Sequence, residues 1–147
     1  MLTPDPVALP AEVKALYPFD VQSWASPDGV MRYVDHGPRE GQPVLLLHGN
    51  PSWSFLWRNL ILALAAKGHR VIAPDHLGMG LSARPDRFLR LADRIRAVHG
   101  LVDHLGLKSF HLGVHDWGGA IGIGVAAVAV VALVVWRRRG RDAFSDD

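Results

Sequence analysis

The sequence contains no cysteine, which excludes disulfide bridges and thiolate metal sites. It has little net charge, since sixteen Lys and Arg against fourteen Asp and Glu leave a formal +2. General electrostatic attraction to nucleic acid therefore has no basis, and no such partner is expected. The opening residues MLTPDPVALP have neither a charged start nor an apolar run, so no secretory signal is read there and a cytoplasmic address is expected. No pair of the eight histidines at helical ligand spacing lies in a segment read as helix, so no metal is expected, and no other cofactor is expected either. With 49% hydrophobic and 20% charged residues over 147 positions, the composition is that of one globular domain with a real core.

Hydrophobic patterning alternates between two periods. Gly29 to Asp35 alternates as a strand, and Val21 to Trp24 is its expected partner across the turn Ser26-Pro-Asp-Gly29. Pro43-Val-Leu-Leu-Leu47 is a short continuous apolar run, which suits a strand buried on both faces. Trp53, Leu56, Trp57, Leu60, Ile61 and Leu64 then recur at helical spacing, and Gly68 closes that helix. A second round follows, with a strand at Val71 to Ala73, a loop from Pro74 to Pro85, and an amphipathic helix from Leu91 to Leu105 carrying Ile95, Val98 and Val102 on its apolar side. Phe110 to Val114 begins a third. Strands alternating with helices predict an α/β fold whose ligands sit beyond the carboxyl ends of the strands.

The segment that carries chemistry is Val114-His115-Asp116-Trp117-Gly118. A residue between a strand and an apolar helix, with glycine two positions on, fits the strand–nucleophile–helix elbow, here with aspartate in the nucleophile slot. A sharp turn of this kind lifts one side chain above the sheet, and the backbone N–H groups of the new helix face the reacting centre. Taken alone, Asp116 reads as a helix N-cap, Trp117 as a packing aromatic and Asn50 as a turn residue. Two other strand-end loops change that reading. His48-Gly49-Asn50-Pro51 follows the central strand, where a second oxyanion N–H is placed, and Pro74-Asp75-His76-Leu77-Gly78-Met79-Gly80-Leu81-Ser82 follows the next. His48 is read as ordering the first loop through a hydrogen bond. His76 reads as a solvated loop residue or one at the site mouth, and His115 as pointing into the core or a neighbouring loop.

Together, His48-Gly-Asn-Pro-Ser-Trp-Ser-Phe-Leu-Trp-Arg58, Gly78-Met-Gly80 and His115-Asp-Trp-Gly118 resemble the haloalkane dehalogenase subfamily of the α/β-hydrolases. Ser52-Trp53 and Pro74-Asp-His76 look most like the cis-3-alkyl-4-alkyloxetan-2-one (β-lactone) decarboxylases of olefin biosynthesis. The resemblance covers roughly residues 18 to 127. It implies an α/β-hydrolase core of about five mostly parallel strands flanked by helices, and a small hydrophobic substrate, either a haloalkane or an alkyl β-lactone. It further implies that Asp116 is the nucleophile and that Asn50 and Trp117 hold the departing anion through side-chain amide and indole N–H. Aspartate suits the role because it is ionised at neutral pH without help from a base. Indole suits an anion because it offers a donor and no acceptor.

The pattern breaks near residue 127. In this family the base histidine and a second carboxylate come late, yet no histidine follows His115, and the acidic residues after Asp116 are Asp142, Asp146 and Asp147. The cap domain and the C-terminal strands are missing from the expected plan. A truncation or frameshift near residue 127 is therefore expected, with a lead-in at 1–17, a partial core at 18–136 and a disordered tail at 137–147. The rival is a non-catalytic remnant or membrane-tethered module. From Gly119 to Trp136 eighteen residues carry no charge, and Arg137-Arg-Arg139 follow, close to the roughly 20 residues that span a bilayer. Membrane attachment is disfavoured, because the same residues must form the helix behind Asp116.

Overall fold

The structure is a computed structural model that describes residues 8–127. The expected tail at 137–147 and the 128–136 part of the apolar segment lie outside the described residues, as do residues 1–7 of the expected lead-in.

After a short helix α1 (Ala11–Leu16), strands β1 (Val21–Ser26) and β2 (Gly29–His36) form the hairpin expected from the Ser26-Pro-Asp-Gly29 turn. Val21 lies opposite Val34 and Trp24 opposite Met31. The apolar runs become β3 (Pro43–Leu47) and β4 (Arg70–Pro74), and β5 (His111–Val114) follows α3 (Leu91–His104). The helix expected from Trp53 is divided into a 3-10 turn at Ser54–Trp57 and α2 (Arg58–Ala66). A last helix, α4, is described over residues 117–127.

The sheet order is β1-β2-β4-β3-β5. β2 is antiparallel to both of its neighbours, while β3 is parallel to β4 and β5. Four strands thus run one way and β2 the other, in agreement with the mostly parallel sheet expected. From β3 the chain first adds β4 on one side and then crosses to add β5 on the other. A crevice opens where the winding reverses, and ligands of open α/β sheets bind there.

Pleating divides the core. Val44 and Leu46 of β3 pack with Val34, Ile61, Val71 and Ala73 on the α2 face. Leu45 and Leu47 pack with Ile72, Val98, Leu101, Ile121 and Val125 on the face covered by α3 and α4. Alternate side chains of a strand point to opposite faces, so an unbroken apolar run is what a sheet covered on both sides requires. At the edge, β5 pairs with β3 alone among the described residues, and its Leu112 and Val114 are 37% and 44% exposed. Among the described residues no helix is long and apolar enough to cross a membrane.

Candidate active site

The elbow expected from the sequence is present. β5 ends at Val114, the His115 amide donates to Leu47 O at 3.1 Å, and α4 opens with Gly118 N–H bonded to His115 O at 2.9 Å. Between them Asp116 has φ +53°, the one positive φ outside glycine among the described residues. This left-handed conformation costs a non-glycine residue energy, and such conformations persist where the surroundings over-determine them. Here the surroundings are tight. A Cβ on Gly118 would lie 2.1 Å from Leu47 O, and one on Gly49 would lie 2.4 Å from the Asp116 Cβ. Hydrogen alone at both positions lets α4 and the β3 loop close on the aspartate.

The Asp116 carboxylate accepts from two main-chain amides. Asn50 N–H donates to its Oδ1 at 2.9 Å, and the Trp117 amide adds a second bond. These bonds, led by that of Asn50, hold the carboxyl below its ordinary range even though the side chain lies open to solvent. The Asn50 and Trp117 side chains line one cavity of about 440 Å³ together with Met79, Leu89, Leu91 and Arg94. Asp116 and Trp117 border an adjoining hollow with Leu91 and Ala120. The three residues singled out in the sequence are therefore brought together at the winding reversal. A mostly apolar wall beside a carboxylate suits a hydrophobic electrophile.

Two histidine expectations are corrected. His76 is neither solvated nor at the site mouth: it is 1% exposed and packs on His48, with ring centroids 4.4 Å apart. Its side chain seats into the loop after β3, because the parallel β3 and β4 bring their ends together. His115 points to solvent rather than into the core, because a turn, not a continuing strand, sets its direction. The hydrogen bond expected of His48 is present, from its Nδ1 to Gly49 O at 2.8 Å.

Asp75 is a residue to which the sequence reading assigned no role. Its buried carboxylate accepts from Ser54 N at 2.7 Å and Leu81 N at 2.8 Å, while Ser82 Oγ donates to its main-chain oxygen at 2.6 Å. Burial pushes its carboxyl up, and the amide bonds pull the other way. The tight approach of Gly80, whose Cβ would fall 2.3 Å from Asp75 Oδ2, was a signal in the quoted loop. Arg94 was also missed. Its Nη1 donates to Leu77 O at 2.7 Å, pinning the loop after β4 to α3.

Comparison with known proteins agrees with this fold. A family model for the alpha/beta hydrolase fold matches residues 42–132. Haloalkane dehalogenase 2 of Mycobacterium tuberculosis is 45% identical over 125 residues, 84% of this chain and 40% of that protein. The cis-3-alkyl-4-alkyloxetan-2-one decarboxylase of Xanthomonas campestris is 46% identical over 109 residues, 68% of this chain and 36% of that protein. Among solved structures, a loop variant of the haloalkane dehalogenase DbeA from Bradyrhizobium elkanii superposes with a TM-score of 0.70 at 37% identity, over 76% of this chain and 36% of that one. The epoxide hydrolase VrEH1 from Vigna radiata superposes with a TM-score of 0.69 at 30% identity, over 75% and 36%. The chain spans about 40% of the length of the curated relatives it matches.

Proposed function

Because the chain belongs to the alpha/beta hydrolase fold family, we propose that Asp116 is a carboxylate nucleophile that alkylates itself on a small hydrophobic electrophile, a haloalkane or an alkyl β-lactone. The observation that carries this reading is the elbow itself, with a strained aspartate at the winding reversal and two amides on its carboxylate. Those amides keep the group ionised and aimed, which is what attack at carbon requires. In the first step the C–O bond forms as the carbon–halogen bond breaks, and the halide leaves toward Asn50 and Trp117. With a lactone, attack at the ring's alkyl carbon releases a carboxylate to the same two donors. Neither step requires a proton to be removed.

Hydrolysis of the ester does require a base to activate water. No histidine follows His115 in this chain, and His48 and His76 are buried beneath the loop rather than facing the cavity. The 147-residue chain should therefore react once and retain the alkyl group.

The test is intact mass spectrometry after incubation with 1-bromobutane. One butyl group is expected on the protein, with one equivalent of bromide released, and neither with Asp116→Asn. Folded protein that stays unmodified would refute the proposal.

A further inference from the structure

We propose that His48 and His76 form a reciprocal lock between the loops after β3 and β4, and that this lock, in its neutral state, positions the Asn50 amide on Asp116. The inference rests on the nucleophile reading above only for its kinetic consequence.

The hydrogen bonds fix where the protons lie. The His76 main-chain N–H donates to His48 Nε2 at 3.0 Å, so that nitrogen carries a lone pair. The remaining proton of a neutral His48 is then on Nδ1, which donates to Gly49 O. In return, His48 O lies 3.0 Å from His76 Nε2. A carbonyl only accepts, so His76 carries its proton on Nε2 and a lone pair on Nδ1. That Nδ1 is buried with no partner among the described residues. Each ring thus bonds the other's main chain.

The lock reaches the nucleophile through one peptide plane. Gly49 O is held by His48 Nδ1, by Ser52 N at 3.1 Å and by Ser52 Oγ at 3.2 Å. The Asn50 N–H belongs to the same rigid, planar unit. Pinning the carbonyl therefore aims the N–H, which meets Asp116 Oδ1 at 2.9 Å. Were the plane to turn, that donor would leave the carboxylate.

Protonation opposes the lock. A proton on His48 Nε2 would set an N–H against the His76 N–H. Two charged groups face the pair: Asp75 at the end of β4, which favours a charged His48, and Arg94 from α3, which disfavours charge on both rings. Burial is the largest influence and lowers both, His76 to about 3. Both rings thus stay neutral in the fold below 6.5, the value at which they titrate when unfolded. Acid below that point loads protons onto the unfolded chain first, so stability falls as pH drops from about 6.5.

Long-range 15N NMR of the full chain tests the assignment. His48 is expected as the Nδ1–H tautomer and His76 as the Nε2–H tautomer, with both rings neutral at pH 7 and titrating below 6.5. His48→Phe keeps the ring volume but removes both bonds, whereas His48→Asn can restore the donor to Gly49 O. The Asn50 amide resonance should shift in the Phe variant and return toward wild type in the Asn variant. Alkylation by 1-bromobutane should fall about 100-fold in His48→Phe and largely recover in His48→Asn. A His48 titrating near 6.5, the opposite tautomers, or an Asn50 amide indifferent to His48→Phe would overturn the lock. The tautomer measurement on wild-type protein decides the matter even where His48→Phe does not fold. The tautomers and the Asn50 resonance do not depend on activity. Wild-type protein that shows the lock but no alkylation would overturn the nucleophile reading alone.

Discussion

Replacing Gly49 by alanine tests the tightness of the site with a single methyl group. Its Cβ would sit 2.4 Å from the Asp116 Cβ and 2.5 Å from Oδ1, whereas carbon atoms pack best at about 3.5–4.0 Å. More than an ångström must be made up, and neither side yields cheaply. Asp116 is fixed between β5 and α4, and the Gly49 carbonyl is held by His48 and Ser52. Overpacking of this kind costs about 1–3 kcal/mol, so thermal unfolding should occur several degrees lower. Displacing a reacting group by about 1 Å costs about 100-fold in rate. Rates of butyl transfer, read by mass spectrometry alongside a thermal melt, give both quantities. Gly119→Ala is the control within the same elbow, because among the described residues its Cβ would meet only Val114 Cγ2 at 4.0 Å. On a helix it should be neutral, or stabilising by up to about 1 kcal/mol. A Gly49→Ala protein that alkylates within threefold of wild type would refute the packing described around Asp116.

Three further outcomes follow from the same contacts. Asp75→Ala removes the carboxylate that serves the buried amides of Ser54 and Leu81, and urea unfolding should report a loss of about 2–4 kcal/mol; a loss below 1 would mean that water replaces it freely. The amides of Asn50 and Trp117 hold the Asp116 carboxyl below its ordinary 3.8, so its ionised form persists as pH falls, and the alkylation rate should be level from pH 8 to about 5. A rate that halves near pH 6 would contradict that depression. Among the described residues β5 has one partner strand where β4 has two, so its outward amides should exchange hydrogen well before those of Val71 to Ala73. Equal protection would mean that the edge is covered.

Much of this arrangement was legible in the order of residues. Pro43–Leu47 has no alternation to assign a face, yet its unbroken apolar character follows from α2 on one side and α3 with α4 on the other. The elbow was readable because Gly118, packed against the Leu47 carbonyl, has a steric reason that no other residue type meets. Partners made by tertiary closure were not readable. His48 and His76 are separated by 28 positions, and only the parallel pairing of β3 and β4 makes them neighbours. Asp75 stands in a loop with no sequence neighbour to mark its task, and tertiary closure brings the Ser54 and Leu81 amides to its two oxygens. His115 was misplaced because alternation was extended one residue past Val114, where the chain has already turned. The helix from Trp53 was read as one because a 3-10 turn and an α-helix share their apolar spacing over a few residues.

The most direct measurement is the location of the alkyl group. After reaction with 1-bromobutane, proteolysis and tandem mass spectrometry should place one butyl ester on the carboxyl of Asp116, stable over hours at neutral pH. Butylation spread over surface histidines and acids, or none at residue 116 in folded protein, would contradict the nucleophile at the turn.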